Sequence, residues 1–125
     1  MTGRWEVEYT DEFGEWWNDL DADAQEDIDV AVRLLEAIGP ALTRPYADTV
    51  KGSRYPNMRE LRVQSQGRPM RILYAFDPRR TAILLIGGDK TGLDDRRFYS
   101  TYIPKADRLY SERLEAIKRE EEPHG

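Results

Sequence analysis

The sequence predicts an α+β domain, a mainly antiparallel sheet backed by two N-terminal helices and followed by a C-terminal helix. Three observations carry that prediction. Apolar residues recur at helical spacing twice between residues 13 and 38, and three strand-like runs joined by short polar turns follow between residues 58 and 86. Helical spacing then returns from about Pro104. With 125 residues and no internal repeat, the chain reads as one domain over 1–125.

Trp5 to Tyr9 alternates apolar and acidic side chains, the period of a half-buried first strand. Phe13, Trp16, Trp17 and Leu20 then fall at i, i+3, i+4 and i+7, with Asp11, Glu12 and Glu15 early in the helix, where its dipole favours them. This spacing assigns Trp16 and Trp17 to packing rather than to base stacking. A second helix is announced by Asp23 and Glu26, carries Ile28, Ala31, Val32, Leu35 and Ile38 on one face, and stops at Gly39-Pro40. Residues 40–57, broken by Pro40, Pro45, Gly52 and Pro56, read as a long connection. Strands are expected at about Met58 to Gln64, Met70 to Phe76 and Thr81 to Ile86, turning at residues 65–68 and 77–80. Gly87-Gly88 should end the last strand and open an irregular polar segment. The final helix buries Ala106, Leu109, Tyr110, Leu114 and Ile117, and residues 117–125 read as a frayed tail.

The net charge of −5 conceals an asymmetry. Residues 1–40 sum to −10, residues 41–105 to +7 and residues 106–125 to −2. A basic middle block suits a polyanion, and it equally suits an acidic helical face that keeps the protein soluble. The absence of cysteine removes thiolate chemistry and Cys-ligated zinc, and fits a reducing compartment, with the cytoplasm as the expected location. Neither a signal peptide nor a membrane span is expected, since the longest apolar run is Ala82 to Ile86.

The hairpin ELRVQSQGRPMRILYAF contains an arrangement that needs explaining. If Gln66-Gly67 is the turn, opposed positions sum to 133, and Leu61, Val63, Met70 and Ile72 share an apolar face. Arg62 and Arg71 then stand opposite one another on the other face, which should be open or partly covered. Like charges so placed cost about 0.2–1 kcal/mol, so an anion should compensate them. Glu60 on the same face would make this a structural Arg–Glu–Arg cluster, whereas an RNA phosphate or a partner's carboxylate would make it a site.

With ELRV, GRPMRILYAFDPRRTAILLIGGDKTG and RRFYSTYIPKADRLYSERL in this order, the chain resembles the RelE/ParE superfamily of bacterial type II toxins, in its HigB-like, phage-related branch. The resemblance covers about residues 4–117. It implies a curved sheet with helices on one face and a basic concave surface on the other. It also implies a cytoplasmic toxin that cleaves mRNA on the ribosome without metal, by attack of a ribose 2′-OH on the adjacent phosphate. The implied partner is a cognate helix-turn-helix antitoxin, through which alone operator DNA would be touched.

Such chemistry needs cations for the developing phosphorane charge and groups that move protons. The positions matching the family's sheet-borne basic site are Arg62 and Arg71. Lys90 in the GGDK segment is a phosphate clamp or proton donor, or else a solvated loop lysine. Tyr99 and Tyr102 lie in the segment where some relatives carry a C-terminal catalytic or base-stacking tyrosine, Tyr99 as the catalytic candidate and Tyr102 as an RNA contact, or else both are packing residues. Lys51, Arg54, Arg96 and Arg97 are candidate RNA or ribosome contacts. His124, the only histidine, lies in the tail, so a histidine-based mechanism is not expected. GGDKTG lacks the Walker spacing, and no metal or other cofactor is expected. Two other classes stay open on the same fold: a ParE-like, non-enzymatic inhibitor of DNA gyrase, and a catalytically inactive antitoxin-binding module.

Overall fold

The computed structural model describes residues 4–122. The elements are β1 (Val7–Tyr9), α1 (Asp11–Asn18), α2 (Ala22–Ile38), a 3₁₀ turn (Gly39–Ala41), β2 (Ala47–Thr49), β3 (Arg59–Ser65), β4 (Arg68–Phe76), β5 (Ala82–Asp89) and α3 (Asp95–Glu121). They form one five-stranded sheet in the order β1-β5-β4-β3-β2. β1 runs parallel to β5, and the remaining pairs are antiparallel.

The β3–β4 turn has the predicted chemistry. Gln66 and Gly67 both adopt positive φ, 52° and 77°, the requirement of a two-residue turn whose twist matches its strands. The register follows: Leu61 opposes Ile72, Val63 opposes Met70, and Arg62 opposes Arg71. A bulge at Leu73/Tyr74 shifts the β4–β5 register and bends the sheet.

Side-chain alternation then sorts two cores. On one face Leu61, Val63, Met70, Ile72, Tyr74 and Leu84 meet Phe13, Ile28 and Leu35 of α1 and α2. On the other, Met58, Leu73, Ala75, Ile83 and Leu85 meet Phe98, Ala106, Leu109 and Tyr110 of α3. The arginine-bearing face is therefore roofed by α3 over much of its length, and the sheet is the middle of three layers. Asp77, buried in the β4–β5 turn, accepts the N–H groups of Arg79 and Thr81 and the Arg113 guanidinium, pinning α3 to the sheet. No helix among the described residues is long and apolar enough to cross a membrane.

Several boundaries differ from the sequence expectation. α2 is capped by Asp21, whose side chain accepts the Ala24 N–H, rather than by Asp23. Asp94 caps α3 through the Arg97 N–H, so that helix starts nine residues before Pro104, which sits in its interior. Residues 117–121 are helical instead of frayed, while His124 lies outside the described residues. The long connection contains β2, whose three residues are too few for a periodic signal.

Gly87 and Gly88 extend β5 rather than ending it. Their missing side chains admit rings: a Cβ on Gly87 would lie 2.2 Å from the Trp16 ring, and one on Gly88 2.5 Å from the Tyr102 ring. Trp16 thus packs on the strand, as its helical spacing predicts. Gly87→Ala should lower stability by about 1–3 kcal/mol through overpacking, read as a reduced urea midpoint at unchanged slope; an unchanged midpoint would show that the Trp16 ring moves aside freely.

Candidate functional site

Glu60 is where the sheet's charges meet. It lies on β3 two residues before Arg62, on the face that Arg62 and Arg71 share, and is only 4% exposed. Its Oε1 accepts the Tyr99 hydroxyl at 2.5 Å and is 4.0 Å from Arg71 Nε, while its Oε2 is 3.8 Å from Arg62 Nη1. Arg71 is 7% exposed and donates Nη1 to the Met70 carbonyl. Burying a carboxylate and a guanidinium is costly unless each has a partner, and this grouping supplies one of opposite charge. The like-charged pair of arginines is therefore compensated from within.

Tyr99 comes from the second turn of α3, which the early start of that helix brings over β3. Burial raises its phenol to about 12, and the bond to Glu60 adds to the shift, because both disfavour the phenolate. Lys90, at the end of β5, pairs with Asp95 at 2.5 Å and sits 5.5 Å from the centre of the Tyr99 ring. This places the GGDK lysine behind the tyrosine. Lys90 in turn holds the Asp95 carboxyl below its ordinary range.

A recess of about 360 Å³ opens beside this group, lined by Arg44, Asp48, Thr49, Val50, Lys51, Glu60, Arg62, Asp95, Arg96 and Tyr99. Of the residues singled out from sequence, it gathers Lys51, Arg62, Arg96 and Tyr99, with Arg71 and Lys90 adjoining through Glu60 and Tyr99. It does not gather three others. Arg54 lies over the Tyr55 ring, Arg97 is exposed on α3 away from the lining, and Tyr102 stacks on Phe98 and covers Gly88. Tyr102 is thus a packing residue in this arrangement.

Sequence reasoning passed over Arg44, Asp48 and Asp95. Arg44 binds Asp48 through Nη2 at 2.7 Å and holds that carboxyl below its usual range. No local pattern marks these residues, because only the pairing of β2 with β3 brings Asp48 opposite Glu60. Their presence alters the expected electrostatics: the recess interleaves four cations with three carboxylates rather than forming a uniformly basic hollow. A larger recess of about 510 Å³ lies on the opposite face, between α1, α2 and β1; it is mainly apolar and holds none of these groups. No cluster of three potential metal ligands occurs among the described residues.

Two outcomes test this geometry. Glu60→Ala should cost about 3–5 kcal/mol in urea unfolding, the loss expected when a buried charge loses its partner; Arg62→Ala should cost clearly less, since the Arg62 side chain is 35% exposed. The raised Tyr99 phenol favours the folded state fully below pH 10 and loses that advantage as pH rises towards 12. Tyr99→Phe should therefore flatten the fall in stability over that interval, and an unaltered pH profile would refute the Tyr99–Glu60 bond.

Comparison with known proteins places the chain in a family. The model of the phage-derived Gp49-like family matches residues 15–111. The chain is 48% identical over 100 residues to the HigB2 protein of Mycobacterium tuberculosis, covering 79% of this chain and 49% of that one, so it spans about half the length of that relative. It is 49% identical over 92 residues to HigB3 of the same organism, covering 74% and 78%. Both relatives carry toxin names. Among solved structures, a mutant of the E. coli toxin RelE in the free state superposes with a TM-score of 0.53 at 13% identity, over 93% of this chain and 97% of that one, a likeness of fold. The family match and the near-half identity across most of HigB3 identify the chain as a HigB-like member of the Gp49-like family.

Proposed function

We propose that the chain is the toxin of a type II toxin–antitoxin pair, acting in the cytoplasm as a metal-independent endoribonuclease on ribosome-bound mRNA and held in check by a cognate helix-turn-helix antitoxin. The observation that carries this reading is the arrangement of Arg62, Arg71 and Tyr99 around the buried carboxylate of Glu60 at the wall of a recess. Cations fixed on adjacent strands suit a phosphate whose charge grows in the transition state. The toxin names of HigB2 and HigB3 support the same class.

In this mechanism the ribose 2′-oxygen attacks the adjacent phosphorus and the bond to the 5′-oxygen breaks. Arg62 and Arg71 neutralise the non-bridging oxygens. The Glu60 oxygen not engaged by Tyr99 accepts the 2′-hydroxyl proton, and Tyr99 delivers its own to the departing 5′-oxygen. Lys90, 5.5 Å from the Tyr99 ring, offsets the charge of the transient phenolate. Proton transfer of this kind contributes about 10²–10⁴-fold in rate, and one fixed donor to a developing oxyanion about 10²–10³-fold. Lys51 and Arg96, on the rim, contact the RNA backbone.

The test is to induce the full chain alone in a bacterial host and map new 5′ ends across its mRNAs. Cuts inside translated reading frames should appear, fall by at least about 100-fold in Arg62→Ala/Arg71→Ala, and fall comparably in Tyr99→Phe. Growth arrest without new ends would sink the nuclease reading in favour of a non-cleaving target such as gyrase, and the absence of arrest would favour the inactive binding module.

A further inference from the structure

A second groove adjoins the recess. It holds about 370 Å³ and is lined by Arg44, Pro45, Arg62, Gln64 and Arg71. Arg44 and Arg62 are shared between the two hollows. Arg71 brings to this groove a buried Nε that has no hydrogen-bond partner, its nearest carboxylate oxygen being 4.0 Å away. An unsatisfied buried donor on a guanidinium is costly, so the fold leaves the Arg71 charge incompletely paired beside the groove.

Arg44 is engaged differently. Its guanidinium is turned onto Asp48 Oδ2, which receives Nε at 2.8 Å and Nη2 at 2.7 Å. The same Asp48 oxygen is 3.9 Å from Arg62 Nη1. One carboxylate thus stands against two of the groove's three arginines, making contacts of the kind that a phosphate makes with a guanidinium fork. Asp48 would keep a partner without Arg44, because its Oδ1 accepts the Thr49 N–H.

We propose that Arg44, shared by the recess and this groove, is the gripping residue of a second phosphate subsite where the two hollows meet, and that Asp48, on the recess side, is the internal stand-in that the ligand displaces. A single RNA strand then lies across both hollows, with the scissile phosphate at Arg62 and Arg71 and a neighbouring phosphate on Arg44. The inference rests on the RNA-cleaving function proposed above and adds to it the length of strand that the protein holds. It also gives Asp48, one of the three acidic residues of the recess, a role, that of setting how readily the site accepts an anion.

The probe is a fluorescent single-stranded 2′-O-methyl oligoribonucleotide, which lacks the attacking hydroxyl and is not cut. Its dissociation constant is measured against potassium chloride concentration for the full chain, Arg44→Ala and Asp48→Asn. Each phosphate contact on a single strand contributes about 0.7 to the slope of log affinity against log salt. Arg44→Ala should bind more weakly at low salt with a slope shallower by about 0.7, and Asp48→Asn should bind several-fold tighter than the unaltered chain. Loss of fold cannot move two variants in opposite directions. An Arg44→Ala variant with unchanged affinity and slope, or weaker binding by Asp48→Asn, overturns the subsite. Salt-independent or absent binding by the unaltered chain overturns it as well. In each of those cases the 5′-end map still decides separately whether the chain cleaves mRNA.

Discussion

Gln66 and Gly67, each with positive φ, set the number of residues that reverse the chain between β3 and β4, and through that count they set the face on which every side chain of the hairpin lies. A slip of one residue would exchange the faces. Were β4 the strand that turned over, Met70 and Ile72 would leave the α1–α2 layer, and Arg71 would lose both the face it shares with Arg62 and the carboxylate of Glu60. The hydrophobic penalty of such a slip is what makes the charged arrangement tolerable. Two cores of buried aliphatic side chains hold in place a pair of like charges that neither strand would choose alone.

The charges themselves are arranged by depth. Glu60 and Arg71 are almost fully enclosed, Arg62 is partly exposed, and Arg44, Lys51 and Arg96 occupy the rim. Screening by water and salt weakens the rim charges far more than the enclosed ones. The acids follow the same gradient, from Glu60 inside to Asp48 and Asp95 at the edge. Each cation of the inner group therefore meets a carboxylate already present in the fold, and the free energy of bringing in an anion is a difference between two similar interactions. In the proposed reaction, such an arrangement would select a phosphate by geometry more than by total charge.

The legible parts of the sequence were those with local causes. Alternation in ELRV and MRILYAF, together with a turn dipeptide suited to positive φ, placed Arg62 against Arg71 without any tertiary information. The stripe of Phe13, Trp16, Trp17 and Leu20 was equally local. What escaped notice depended on contacts between distant segments. Pro104 resembled the first residue of a helix because prolines are favoured there, yet the cap Asp94 lay ten residues earlier. Gly87-Gly88 resembled a strand end because the rings of Trp16 and Tyr102, which make glycine necessary, come from other elements. The same holds for the site. Arg62, Arg71, Lys90 and Tyr99 came from a family resemblance joined to a register argument, while Arg44 and Asp48 became part of the recess only through the β2–β3 pairing.

The parallel pairing of β1 with β5 bears on how the chain acquires its shape during synthesis. Val7 to Tyr9 align with Ala82 to Leu84, and the Thr10 hydroxyl donates to the Leu85 carbonyl, 75 residues away. The acidic first third therefore leaves the ribosome well before its pairing strand exists. α1 and α2 cannot bury their apolar stripes until the hairpins behind them are made. Tyr99 and Lys90 arrive later still, with the end of β5 and the start of α3. The cationic centre consequently comes into being only after β5 and the start of α3 have joined the earlier strands.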